Sequence, residues 1–204
     1  TYVVRTSLSY YGMGGEAASY EPVSVRGVVV AEGQNTPANL TLKTGVTISG
    51  KVTGEDGLGI GGVSLWGNAN DSDSWWLYSS ALSVDNGSYT LKGISPDVDG
   101  YDITAYKWNW GGQGDGRKYG RQVKYAVSPK SASVDFILPI ADGSVSGKVV
   151  DGKGNPLSGA WVYLSEGVLD WGQSWGWGNT QADGTFLIDG VVPGSYLVRV
   201  QAYG

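Results

Sequence analysis

Tryptophan, glycine and side-chain amides recur together in this chain in runs that could grip a sugar ring. Asp73-Ser74-Trp75-Trp76-Leu77-Tyr78 and Asp170-Trp171-Gly172-Gln173-Ser174-Trp175-Gly176-Trp177 are two such runs. Tyr10-Tyr11-Gly12-Met13-Gly14 and Tyr106-Lys107-Trp108-Asn109-Trp110-Gly111 are two more. A flat indole stacks on the C–H face of a sugar while neighbouring amides meet its hydroxyls. The same residues also anchor buried protein interfaces, or cap the end of a core. All three uses stay open for Tyr10, Tyr11, Trp75, Trp76, Trp108, Trp110, Trp171, Trp175 and Trp177, which the pattern places on loops.

Carboxylates offer a second chemistry. Asn68, Asn70, Asp71 and Asp73 could supply oxygens to calcium, which takes six to eight of them; Asp97 and Asp99 form a lesser pair. Neither set has the spacing of a helix–loop–helix calcium site, and short Asp/Asn/Gly clusters more often make turns. Paired carboxylates can hydrolyse glycosides, but no recognisable motif pairs them here. With no His and no Cys in the chain, Ser–His and Cys–His nucleophiles and thiolate zinc sites are excluded. No enzyme and no cofactor is expected. Asn39, Asn70 and Asn86 each open an Asn-X-Ser/Thr sequon, a glycosylation acceptor where the host modifies secreted proteins.

The balance of residues narrows the setting. Charged residues make up 16% of 204 positions and the net charge is −5, which suits no nucleic-acid partner. No apolar run approaches the roughly 18 residues of a membrane helix. Nine Trp and thirteen Tyr supply the large apolar groups that disordered chains lack. Thr1 reads as a mature or excised start, and the Ser-, Thr-, Asn- and Gly-rich acidic composition points to an extracellular or cell-surface setting.

The elements that must position these groups are strands, and they come in a repeat. Ile48-Ser49-Gly50-Lys51-Val52 recurs as Val145-Ser146-Gly147-Lys148-Val149, a spacing of 97 residues. Asn86-Gly87-Ser88-Tyr89-Thr90-Leu91 recurs as Asp183-Gly184-Thr185-Phe186-Leu187-Ile188, and Val134 to Leu138 echo Ala38 to Leu42. Alternating segments such as Tyr196 to Tyr203, separated by Asp-Gly and Asn-Gly turns, predict short strands. The fold class is all-β.

Val145-Ser-Gly-Lys-Val-Val-Asp-Gly-Lys-Gly-Asn-Pro-Leu-Ser-Gly-Ala-Trp-Val-Tyr-Leu164 resembles the opening of a carboxypeptidase regulatory-like domain. Thr180 to Gly190 and Pro193 to Val200 resemble the rest of that pattern. Residues 46–140 are similar more loosely, since Gly59 stands where Pro156 does. The resemblance implies tandem transthyretin-like (Ig-like) antiparallel β-sandwiches, as in surface stalks and adhesins. It also implies a structural or binding module rather than a catalyst.

The repeat has an unusual phase. Tyr2-Val3-Val4-Arg5 is similar to Tyr196-Leu197-Val198-Arg199, a late strand. Residues 1–44 therefore read as late strands of a partial sandwich, 45–141 as a complete one, and 142–204 as early strands of another. The two partial units are expected to complete each other, within one chain or between neighbours. The strands marked by Tyr2, Val4, Tyr196 and Val198 would carry the contact. Between neighbours the product is a head-to-tail polymer of copies of this chain. Glycans are the alternative partner.

Overall fold

The computed structural model describes residues 1–6, 19–71, 73–74, 76–107, 118–131, 133–165 and 174–202. Among them there is no α-helix, and none of the described segments is a helix long and apolar enough to cross a membrane. Fourteen strands follow one another: β1 (Tyr2–Arg5), β2 (Ser24–Val28), β3 (Val46–Gly54), β4 (Ser64–Ala69), β5 (Tyr78–Leu82), β6 (Ser88–Ile94) and β7 (Tyr101–Tyr106). Then come β8 (Gln122–Val127), β9 (Phe136–Leu138), β10 (Gly143–Lys148), β11 (Trp161–Ser165), β12 (Ser174–Asn179), β13 (Thr185–Val191) and β14 (Leu197–Gln201). Two compact units are present, one holding residues 1–108 and 122–137, the other 109–121 and 138–204.

In the first unit, sheets β6-β3-β9 and β5-β4-β7-β8 enclose an antiparallel sandwich. Strict alternation drives it: Leu65 on β4, Tyr89 and Leu91 on β6, and Tyr101, Ile103 and Ala105 on β7 turn inward. Ile48, Val52, Val63 and Phe136 join them, all without solvent contact. Burial pushes the Tyr101 phenol up to about 12 and raises that of Tyr89, with nearby Asp135 adding to the latter. A separate hairpin, β1-β2, belongs to the same unit.

The second unit repeats this plan with five strands, in sheets β10-β13 and β12-β11-β14. Its core is Val162, Leu164, Ile188 and Val191, with Val145, Val149, Phe186 and Tyr196 packed against it. The repetition extends to details of register. β3 slips against β6 between Val46 and Ile48, and β10 slips against β13 between Gly143 and Ser144. The buried Ser83 hydroxyl accepts from Val63 N (2.9 Å) and donates to Ile60 O (2.7 Å). Thr180 does the same with Ala160 N (2.9 Å) and Leu157 O (2.6 Å).

The turns also come in pairs. Gly87 has φ +85° and Gly184 φ +78°, a left-handed conformation that glycine adopts at little cost. A Cβ on Gly87 would lie 2.1 Å from Val52 O, and one on Gly184 2.5 Å from Val149 O. The residue before each glycine caps its turn: Asn86 Oδ1 accepts from Ser88 N at 2.9 Å, and Asp183 Oδ1 from Thr185 N at 3.0 Å.

Candidate functional site

Two surfaces stand out, and the first is an uncovered inner face. β4 and β7 pair with Leu65 opposite Ala105 and Gly67 opposite Ile103. β11 and β14 pair in the same way, with Val162 opposite Val200 and Leu164 opposite Val198. Val198 and Val200 thus occupy the places of Ile103 and Ala105. Yet Ile103 and Ala105 are 0% exposed, while Val198 is 53% exposed and Val200 44%. The first unit has β8 beside β7 and β9 beside β3; in the second unit's sheets, β14 and β10 are outermost.

Strands paired like β7 and β8 occur at the other end of the described chain. β1 pairs with β2 through Val4↔Val25 and Arg5↔Ser24, with a register shift between Tyr2 and Val3. β7 pairs with β8 through Ile103↔Lys124 and Thr104↔Val123, with a shift between Tyr101 and Ile103. Both shifts are accompanied by a residue in the left-handed region, Gly27 at φ +79° and Ala126 at φ +51°. Alanine is strained there by roughly 1 kcal/mol, and Asp102 Oδ1 holds it by accepting from Ala126 N at 2.9 Å. Residues 38–42 alternate in burial: Ala38, Leu40 and Leu42 are half-buried while Asn39 and Thr41 are exposed. That is the pattern of Val134, Phe136 and Leu138 without the full burial.

The connections agree as well. Glu21 N donates to Lys43 O (2.9 Å) and Gly45 N to Ser19 O (3.0 Å). Gly120 N donates to Pro139 O (2.8 Å) and Ala141 N to Lys118 O (2.9 Å). Among the described residues, then, β1 and β2 pair as β7 and β8 do, and residues 19–21 meet 43–45 as residues 118–120 meet 139–141. In the second unit Lys118 also pairs with Asp189, whose carboxyl it holds below the usual carboxylate range.

The second surface is the outer face of sheet β12-β11-β14. Trp161 and Tyr163 lie 6.1 Å apart with rings 12° from parallel, and Trp177 tilts against Trp161 at 5.1 Å. Trp177 is 59% exposed. Asn179 and Gln201 flank Trp161 in register, and Arg199 flanks Tyr163. Trp175 and Trp177, expected on a loop, are instead residues of β12. The outer face of β4 and β5 carries a similar pair, Trp66 and Tyr78, stacked at 6.4 Å.

Of the other aromatic residues, Trp76 is half-buried in a turn, its Nε1–H donating to Asp73 O at 3.1 Å and its ring 5.2 Å beneath the Arg5 guanidinium. Tyr10, Tyr11, Trp75, Trp108, Trp110 and Trp171 lie outside the described residues, as does the side chain of Trp175. Asp71, central to the calcium expectation, ties a turn: its Oδ1 accepts from Asp73 N (2.9 Å) and Ser74 N (2.8 Å). Hydrogen bonding to Ser74 holds its carboxyl below the ordinary value of 3.8. Asn68 and Asn70 are exposed beside it, and no group of three acidic side chains gathers for a metal among the described residues. Asp97 pairs with Lys43 at 3.4 Å on the surface. The sequon residues Asn39, Asn70 and Asn86 are all exposed.

Repeated registers, bulges and hydroxyl latches define a protein of tandem antiparallel β-sandwich modules. Within it, residues 144–204 match the carboxypeptidase regulatory-like domain, as the motif from Val145 to Leu164 implied. No curated protein matches the chain. Among solved structures, the Streptococcal ancillary pilin aligns over 95% of this chain and 70% of its own, at 13% identity and a TM-score of 0.34. The Bacillus anthracis TIE protein aligns over 76% of this chain and 30% of its own, at 14% identity and a TM-score of 0.35.

Proposed function

We propose that this chain is a non-enzymatic structural module of an extracellular filament or cell-surface stalk. Sandwiches follow one another head to tail, and the five-stranded unit is completed by late strands of another copy. The observation that carries this is the contrast at one topological position: Ile103 is sealed, Val198 open. Residues 1–44 hold two strands, β1 and β2, that pair as β7 and its neighbour β8 do. Residues 1–44, 45–141 and 142–204 are then the working modules. Burying a valine fully is worth about 1.5 kcal/mol or more, so Val198, Val200 and the half-buried Val145 and Val149 together favour association.

Sedimentation across a concentration series tests this reading. Species at multiples of 21.4 kDa are expected. A single 21.4 kDa species persisting to about 1 mM, where even a contact of about −4 kcal/mol shows, overturns it.

A second reading has one observation behind it, the ring cluster in which half-buried Trp161 and Tyr163 stack and exposed Trp177 tilts against Trp161. Such a cluster with Asn179, Arg199 and Gln201 around it suits a carbohydrate. Under that reading Trp177→Ala abolishes binding to a glycan array and leaves sedimentation unchanged. If the rings are interface anchors, the same substitution weakens association by about 2 kcal/mol and no glycan signal exists to lose.

A further inference from the structure

We propose that β14 of one copy displaces β1 of another from the edge of β2, so that β1 is a placeholder released on assembly. The proposal rests on the completion of the five-stranded unit by another copy, and adds which strand yields. Two strands of one type compete for one edge. β1 is of the β7 type, because it meets β2 in the register, with the bulge and left-handed residue, in which β7 meets β8. β14 is of the β7 type, because it meets β11 as β7 meets β4. The residues agree position by position: Tyr2, Val3, Val4 and Arg5 against Tyr196, Leu197, Val198 and Arg199.

β2 is the β8-type strand of this hairpin, and its β1-facing edge holds one such partner. The exchange places Tyr196 opposite Val28, Val198 opposite Val25 and Arg199 opposite Ser24. It trades one antiparallel ladder for another of the same length, so backbone hydrogen bonds nearly cancel. What differs is the apolar face. β14 brings Val198 and Val200 with the β11 sheet behind them, whereas β1 belongs to a two-stranded sheet and has exposed Tyr2 and Val3. The left-handed residue also fits: Gly27 needs no side-chain latch, and the position that Asp102 fills on β7 is Val3 on β1 and Leu197 on β14. The occupant is therefore a second copy of this chain.

The chain has no cysteine, so engineered disulfides report register without background. Directly opposed residues hold their Cβ atoms about 5 Å apart, close enough for a bridge after small adjustment. Chains carrying Val25→Cys alone and Val198→Cys alone are mixed and oxidised. A mixed disulfide dimer is expected. In a second experiment one chain carries both Val4→Cys and Val25→Cys. Oxidation locks β1 onto β2 and should abolish the ladder of multiples; reduction should restore it, which also shows that the variant folds.

Association that continues with the Val4–Val25 bridge closed overturns the exchange while leaving completion by another copy intact. Association without a Val25–Val198 bridge does the same. A bridge that forms only within a chain carrying both Val25→Cys and Val198→Cys, never between chains, overturns exchange between copies. No association of the unsubstituted chain at any concentration removes both readings.

Discussion

Replacing Val198 by Asp should leave the monomer folded and abolish the self-association proposed for it. The side chain is 53% exposed in the single chain, so a carboxylate there keeps its water. Covered by another copy, it would be an unpaired buried charge, weakening the contact by about 3 kcal/mol or more, roughly a hundredfold in affinity. Ile103→Asp changes the topologically equivalent residue and should do the reverse. It buries a charge in a closed core at 0% exposure and should unfold the first unit, a loss of at least about 4 kcal/mol. Thermal melts paired with sedimentation separate the two. A Val198→Asp monomer that melts as early as Ile103→Asp would mean that Val198 already belongs to a finished core.

Gly50→Ala and Gly147→Ala form a second contrasting pair. A Cβ on Gly50 would sit 2.0 Å from Val134 O and 2.6 Å from Val134 C, with the Tyr89 ring at 3.0 Å. Backbone cannot step aside there, so the segment leading into β9 must part from β3, at about 3 kcal/mol or more. A Cβ on Gly147 would meet only the Phe186 ring, at 2.9 Å, as its nearest neighbour. A ring edge in a half-open core can swing away, and the expected change in monomer stability is within about 1 kcal/mol. The side of Gly147 corresponding to Val134 is where residues such as Ala38 would dock from another copy. Gly147→Ala should therefore be silent in melts and block association. Normal polymers from the variant would show that no backbone approaches this glycine.

Where strands alternate cleanly, the sequence was sufficient to read them. Tyr89 and Leu91, Phe186 and Ile188, and Val162 and Leu164 mark their inner faces by period, and the Asn86-Gly87 and Asp183-Gly184 turns mark the joins. The 97-residue spacing carried these assignments from one unit to the other. β12 escaped because its inward residues are Gly176 and Gly178, so Ser-Trp-Gly-Trp-Gly-Asn reads as a loop. The reason lies across the sandwich: a Cβ on Gly176 would meet Ile188 Cγ2 at 2.8 Å, and one on Gly178 would meet Ile188 Cγ1 at 3.3 Å. The equivalents on β5, Ser79 and Ala81, are also small. A packing constraint from β13 is invisible in β12 alone.

The site was legible only in part for the same reason. Tyr2 and Val4 could be matched to Tyr196 and Val198 by residue type, which identified the strands. That Val198 stays open while Ile103 closes depends on which strands flank them, and neighbouring strands in a sheet are distant in the chain. The ring cluster of Trp161, Tyr163 and Trp177 likewise depends on the pairing of Tyr163 with Trp177. Trp161 lies within a strand, and its pairing with Asn179 and Gln201 puts it on the outer face.

The turn at Asn86 and Gly87 bears on the chemical lifetime of the chain. An asparagine followed by glycine is the sequence most prone to spontaneous deamidation, because the glycine nitrogen can attack the amide carbon and close a succinimide. Here that nitrogen donates to Val84 O at 2.7 Å, and the Asn86 Oδ1 is held by Ser88 N at 2.9 Å. Both reacting groups are engaged in the hairpin, so ring closure must wait for the turn to open. The equivalent Asp183-Gly184 can close the same succinimide by losing water, and its glycine nitrogen is likewise engaged, donating to Gln181 O at 2.9 Å. The turn geometry that ends one strand and begins the next therefore also slows chemical ageing.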